Sequence, residues 1–131
     1  MKKRGVLQHE LSDVIATLGH TDSLVIADAG LPIPANVKRI DLAVARGVPG
    51  FVEVLRAILD DVQVERAVIA SELREKSPEL HRELLVLLSG IPVEEVSHAD
   101  LKAKTPEARA VVRTGEFTPY ANVILFSGVV F

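Results

Sequence analysis

His20 is the residue whose type and position favour proton transfer near neutral pH, where an imidazole can both give and take a proton. It lies in the segment Gly19-His20-Thr21-Asp22, directly after a predicted amphipathic helix with Leu11, Val14, Ile15 and Leu18 on one face. Gly19 occupies the place of a helix C-cap glycine, and the negative end of a helix favours a protonated imidazole. Position alone therefore allows two roles for His20, an acid–base catalyst or a simple cap of the helix carbonyls.

Asp28 begins a second segment whose residues could bind a ligand, Asp28-Ala29-Gly30-Leu31-Pro32-Ile33-Pro34. Two prolines and a glycine predict a stiff loop of defined shape. A carboxylate at its start can accept hydrogen bonds from two neighbouring hydroxyls, which is what a sugar presents. The alternative is that Asp28 only closes a local turn.

The later part of the chain adds His98, Tyr120 and Asn122. His98 precedes a predicted short helix, while Tyr120 and Asn122 lie on the proline-containing turn Thr118–Asn122. Tyr120 is the only tyrosine in the chain and suits either a ligand contact or a hydrogen-bonded place in the core. His81 lies among leucines of a predicted helix, and we expect it to be structural.

Motifs for other chemistries are absent from the sequence. We find no glycine-rich phosphate loop, no dinucleotide-binding glycine pattern and no nucleophile elbow. The chain has no cysteine. His20, Asp28 and His98 could in principle ligate a metal, but their spacing matches no known ligand motif. We therefore expect a protein that uses no cofactor and no metal.

The composition predicts one soluble domain with apolar surface to spare. The chain has 131 residues, of which 48% are hydrophobic and 4% aromatic. Its mean hydropathy is +0.28, yet the longest aliphatic run, Leu84–Leu88, is too short to cross a bilayer. Such a surplus of apolar residues favours self-association. The net charge of −3 without a basic stripe argues against a nucleic-acid partner, and no signal peptide is visible, so we expect a cytoplasmic protein without a membrane partner.

Helical and extended patterns alternate along the chain, which predicts an α/β fold: a single three-layer domain with a mostly parallel or mixed sheet flanked by helices. Ligands in such sheets usually bind at the carboxyl ends of the strands, where Asp28 and Ser71 are expected. The predicted strands are 23–27, 39–44, 64–70, 92–97, 110–113 and 122–131, and the predicted helices are 11–18, 49–59, 78–88 and a short one after His98.

Several segments together resemble the D-ribose pyranase family, whose relatives include the L-fucose mutarotases. They are Gly19-His20-Thr21-Asp22, Asp28-Ala29-Gly30-Leu31-Pro32-Ile33-Pro34, Arg39-Ile40-Asp41, Gly47-Val48-Pro49 and Gly115-Glu116-Phe117-Thr118-Pro119-Tyr120-Ala121-Asn122. The resemblance covers nearly the whole chain, in order and at matching spacing.

The resemblance implies that residues 1–131 form a single sugar mutarotase domain acting on free D-ribose. It implies that His20 is the proton donor and that five residues bind sugar: Asp28, His98, Tyr120, Ala121 and Asn122. It also implies a homodecamer of two stacked pentamers with sites between subunits. Alternatives are a non-catalytic sugar-binding accessory protein, a mutarotase for another aldose such as L-fucose, and a metal-dependent sugar isomerase.

Overall fold

A mixed six-stranded sheet forms the centre of the molecule, and the computed structural model describes all residues, 1–131. The strands run in the spatial order β2-β5-β1-β6-β3-β4. This confirms the predicted α/β class. In chain order they are β1 (Ser23–Ala27), β2 (Lys38–Asp41), β3 (Val64–Ala70), β4 (Val93–Val96), β5 (Ala110–Arg113) and β6 (Val123–Ser127).

Five α-helices flank the sheet. The third of them along the chain was not predicted, because its five residues are too few to show a helical period. A 3₁₀ turn, Thr105–Glu107, follows the last helix. The helices are α1 (His9–Thr17), α2 (Phe51–Leu59), α3 (Glu72–Lys76), α4 (Pro78–Leu87) and α5 (His98–Lys104).

The central strand β1 contributes to two hydrophobic layers, one on each face of the sheet. Leu24 and Ile26 pack into the layer that contains residues of α1, α2, α3 and α4. Val25 and Ala27 point the other way, into a smaller layer with Leu101 of α5. All four strand residues are at most 1% exposed, and burying a large aliphatic side chain contributes about 1.5–3 kcal/mol. Helices therefore pack on both faces of the sheet, which confirms the predicted three layers of helix, sheet and helix.

The direction of β6 decides which residues share an edge of the sheet. β1 pairs with β5 in parallel but with β6 antiparallel, and β3 also pairs with β6 antiparallel. The carboxyl ends of β1, β3 and β5 therefore lie at the same edge as the start of β6. The segment before β1 lies at the opposite edge, beside the end of β6.

The prediction that Gly19 caps the first helix was wrong. The helix α1 ends at Thr17, and Leu18 is already extended, with ψ of 121°. The carboxylate of Asp22 accepts the Gly19 N–H at 2.8 Å, so this amide belongs to the following turn. Thr21, not Gly19, adopts a positive φ, of 71°. His20 consequently lies in a separate turn and does not cap the helix.

Three strands are shorter than predicted. β2 stops at Asp41 instead of residue 44, β4 is limited to Val93–Val96, and β6 stops at Ser127 instead of Phe131. Aliphatic residues continue past the pairing segments of β2 and β6, so composition extended these two predicted strands. No helix of the structure is both long and apolar enough to cross a membrane.

Candidate functional site

Asp28 follows the last residue of β1, and two neighbours fix its carboxylate. Asn122 Nδ2 donates to Asp28 Oδ2 at 3.1 Å, and Asn122 Oδ1 accepts the Asp28 N–H at 2.9 Å. The Gly30 N–H donates to Asp28 Oδ1 at 2.9 Å. Each carboxylate oxygen can accept more than one hydrogen bond. Asp28 thus presents an oriented, half-buried acceptor to any polyol at this edge of the sheet.

Tyr120 and His98 form the facing wall of the same cleft. Their rings meet edge to face, with centroids 5.0 Å apart and an interplanar angle of 83°. Tyr120 has a positive φ of 65°, which is uncommon for a residue with a side chain and turns the ring toward α5. The Nδ1 atom of His98 is buried without a hydrogen-bond partner. The wall thus combines the apolar face of an aromatic ring with a histidine nitrogen that has no hydrogen-bond partner in the protein.

Glu72 positions His98 from the start of α3. Both oxygens of its carboxylate accept the backbone N–H of His98, at 2.9 and 3.0 Å. This hydrogen bond is the main reason why the pKa of Glu72 is lowered from the usual value of a glutamate. The Ser71 hydroxyl adds a bond at 3.0 Å. An ionised Glu72 therefore ties the start of α5 to the end of β3.

The loop after Asp28 is held by the neighbouring strand β5. Arg113 Nε donates to the carbonyl of Ala29 at 3.0 Å, while its Nη1 contacts both oxygens of Asp41 at 3.1 and 3.2 Å. The Thr114 hydroxyl donates to the Ala27 carbonyl at 2.7 Å. These bonds fix the Asp28 backbone from the opposite side to Asn122.

Gly115 is required where the segment after β5 crosses the loop before α2. A Cβ at this position would lie 2.5 Å from the Ala45 carbonyl oxygen and 2.7 Å from the Val48 nitrogen. Both contacts are with backbone, so a side chain would displace the chain. Gly115 therefore allows the close approach that places residues 116–122 beside Asp28.

Glu116 fastens this same segment to α2. Burial on its own would raise the pKa of Glu116, but hydrogen bonds from the Phe51 N–H and from Thr118 outweigh it, and the pKa is lowered. The ionised carboxylate therefore holds the N-terminus of α2 against the turn that precedes Tyr120.

Two adjoining concave regions open beside Asp28. One, of about 250 Å³, is lined by Asp28, Gly30, Leu31, Pro32, His98, Pro119 and Tyr120. The other, of about 390 Å³, extends toward Arg113 and Phe117. They share Asp28, Gly30 and Pro119, so a small polyol could lie against Asp28 and reach either side.

His20 lies at the opposite edge of the sheet. The five residues of β1 separate its turn from Asp28, and such a strand is about 17 Å long. The ring is 55% exposed, and its Nε2 lies 2.8 Å from Glu65 Oε2. The concave region around His20, of about 380 Å³, is also lined by Asp61, Gln63 and residues 127–131. Within one chain, His20 and Asp28 cannot contact the same small ligand.

The turn that carries His20 is firmly anchored. The Thr21 N–H donates to the Ser127 carbonyl at 2.8 Å, which ties the turn to the end of β6. Asp22 accepts the Gly19 N–H and lies 3.2 Å from Arg109 Nε. The Gly19 bond, followed by the Arg109 bond, lowers the pKa of Asp22 below its usual value. The turn thus presents an exposed imidazole on a rigid support.

The structure brings together four of the six predicted site residues: Asp28, His98, Tyr120 and Asn122. Asn122 is fully buried, and its side chain reaches the cleft through Asp28. Ala121 is also fully buried and belongs to the hydrophobic core. The sixth residue, His20, stands apart.

The sequence reasoning missed Glu72 and Glu65. Glu72 directly follows Ser71 at the carboxyl end of β3, which is a place where site residues are expected, so its position was a usable indication. Glu65 is one of many exposed charges, and nothing in the sequence pattern distinguishes it. No three His, Asp or Glu side chains are grouped as a metal site would require.

Comparison with known proteins gives full-length matches. The model of the RbsD / FucU transport protein family matches residues 1–130. The D-ribose pyranases of Coprothermobacter proteolyticus and Chloroflexus aggregans are 58% and 56% identical to the chain, and each match covers 100% of both sequences. The structure of Bacillus subtilis RbsD complexed with D-ribose superposes with a TM-score of 0.98 at 45% identity, covering 100% of both chains.

Proposed function

The chain belongs to the RbsD / FucU transport protein family, and we propose that it interconverts the pyranose and furanose forms, and the anomers, of free D-ribose. The observation that carries this proposal is the full-length structural match to RbsD complexed with D-ribose. The 58% identity to a D-ribose pyranase supports the same activity. The oriented carboxylate and aromatic wall of the Asp28 cleft suit a small polyhydroxylated ligand.

The reaction needs two proton movements. When the bond between the anomeric carbon and the ring oxygen breaks, its electron pair passes to the ring oxygen, which takes up a proton. The anomeric hydroxyl loses its proton and becomes the carbonyl oxygen. A different hydroxyl, or the same hydroxyl on the other face, then attacks the aldehyde and both protons return. A positioned acid–base group accelerates such a step by about 10²–10⁴-fold.

In this proposal His20 is the acid that protonates the ring oxygen. Asp28 accepts hydrogen bonds from sugar hydroxyls, and His98 and Tyr120 bind along the facing wall. Asn122 keeps the Asp28 carboxylate oriented, and Ala121, between Tyr120 and Asn122, is the remaining residue that the family resemblance places at the sugar. A cleft carboxylate, a cleft imidazole or a water that they hold accepts the anomeric proton. No cofactor is needed for any of these steps.

If His20 is the acid for a sugar bound at Asp28, two copies of the chain must share each site. Proton transfer needs contact at about 2.6–3.2 Å, whereas the two residues flank a strand about 17 Å long. In our proposal His20 of one copy completes the Asp28 cleft of a neighbour. Exposed apolar residues support an association: Val44 at 82%, Val86 at 74%, Phe117 at 57% and Val130 at 85%.

We further propose a closed homodecamer of two stacked pentamers, as the family resemblance implies. A contact between unlike surfaces, one with His20 and one with Asp28, generates a ring when its rotation closes. Analytical ultracentrifugation tests this assembly. A cytoplasmic location stays a prediction from the sequence.

NMR magnetisation transfer between the ring forms of D-ribose tests the activity. The intact protein is expected to speed exchange well above the rate in buffer, and His20→Ala to return it to that rate. His9→Ala is the matched control, because His9 is also exposed but lies at the start of α1. If His20→Ala exchanges ribose as fast as the intact protein, His20 is not the acid.

The same experiment separates the alternatives. A non-catalytic sugar binder would leave the exchange rate of ribose at the buffer value at every pH. A metal-dependent isomerase would lose its activity after exhaustive chelation, whereas we expect no loss. Exchange of L-fucose faster than that of D-ribose would indicate that another aldose is the preferred substrate.

A further inference from the structure

Glu65 contacts His20 and takes no part in the proton movements of ring opening. The distance between His20 Nε2 and Glu65 Oε2 is 2.8 Å. A carboxylate on one ring nitrogen fixes the orientation of an imidazole and stabilises its protonated form. The other nitrogen, Nδ1, is then left to face a ligand.

A β-bulge directs Glu65 toward His20. In the pairing of β3 with β6, Val64 lies opposite Ser127 and Arg66 lies opposite Phe126. Two steps along β3 therefore match one step along β6, and Glu65 is the extra residue. Bulges of this kind often occur beside active sites, where they change the direction of a side chain.

Gly128 leaves the space that Glu65 occupies. A Cβ on Gly128 would lie 3.1 Å from the Glu65 Cβ. The Gly128 N–H also donates to the Gln63 carbonyl at 2.8 Å, which fixes this approach. The end of β6 thus supports both members of the pair, since Ser127 holds the His20 turn through Thr21.

The other charged groups around His20 are already engaged. Asp61 accepts the Val6 N–H at 2.8 Å and lies 3.9 Å from Lys2 Nζ. Asp22, on the same turn as His20, is bound by Gly19 and Arg109. The other side chains that line this region come from Ile15, Leu18, Val62, Gln63 and residues 127–131, and none of them is ionisable. Glu65 is therefore the carboxylate that acts on the imidazole.

We propose that Glu65 is a positioning residue for the acid: it holds His20 through Nε2 so that Nδ1 delivers the proton to the sugar ring oxygen. This inference rests on the proposed function. The proton leaves Nδ1 when the ring opens and returns to it when the ring closes, and Glu65 keeps its charge throughout.

The test is Glu65→Gln, which keeps the size and an acceptor oxygen but removes the charge. We expect the maximal ribose exchange rate to fall about five-fold, as for loss of a partly exposed ion pair. The half-saturating ribose concentration should not change, because Glu65 does not touch the sugar.

Glu94→Gln is the control, since it removes a surface carboxylate, 59% exposed against 37% for Glu65, from the adjacent strand β4. If Glu65→Gln keeps the intact maximal rate, or changes the half-saturating ribose concentration in place of the rate, this inference is wrong while the proposed function stands. An intact protein with no exchange activity would instead reject the proposed function.

Discussion

Asn122 and Asp28 form a closed pair of hydrogen bonds across two strands: the amide oxygen of Asn122 accepts the Asp28 N–H, and its amide nitrogen donates to the Asp28 carboxylate. Asn122 is fully buried, whereas Asp28 lies at the cleft surface. The pair therefore ties Asp28 to a residue that is fixed in the core.

Replacing Asn122 by Ala should reduce both stability and activity. The Asp28 N–H would lose its partner, and leaving a buried polar group unpaired costs about 1–3 kcal/mol. Urea unfolding measures that loss, and ribose exchange measures the effect of a mobile Asp28. Asn36→Ala, at an exposed loop position, is the control. Equal unfolding free energies for the two variants would show that the pair contributes nothing.

Tyr120→Phe should weaken ribose binding without changing the stability of the protein. The edge-to-face contact with His98 uses only the ring, so the free energy of unfolding should stay the same. Loss of one hydroxyl contact to the sugar should raise the half-saturating ribose concentration about five-fold. A marked fall in stability with unchanged exchange kinetics would instead make Tyr120 a core residue.

Asp22 should make stability depend on pH in the acid range. Its pKa in the folded protein is lowered from 3.8, mainly by the Gly19 hydrogen bond. The resulting stabilisation is present above the unfolded-state pKa and is lost as pH falls through the lower, folded-state pKa. Asp22→Asn should be less stable than the intact protein at pH 7, and the difference should narrow below about pH 4. A constant difference across pH in urea unfolding would contradict this account.

Much of the fold could be predicted from the sequence. Ser23–Ala27, Val64–Ala70 and Ala110–Arg113 have the bounds that the prediction gave, because each is a short aliphatic segment limited by polar or turn residues. The antiparallel placement of β6 between β1 and β3 could not be predicted, since pairing depends on contacts between distant segments. The helix cap was misassigned because Asp22, three residues later, takes the Gly19 amide.

The sequence indicated which residues belong to the candidate site but not how they are arranged in space. His20 precedes β1 and Asp28 follows it, so the strand length alone separates them. The strand length is therefore consistent with the prediction, made from the family resemblance, that sites lie between subunits. Glu65 was beyond prediction, because its direction depends on a register shift between β3 and β6.

The most direct test of the central claim mixes two inactive variants, His20→Ala and Asp28→Asn. If His20 of one copy completes the Asp28 cleft of its neighbour, oligomers refolded from an equal mixture contain some interfaces with both residues intact. Random assembly predicts recovery of about a quarter of the intact ribose exchange rate. A mixture that stays as inactive as each variant alone, in oligomers shown to contain both, would contradict a shared site.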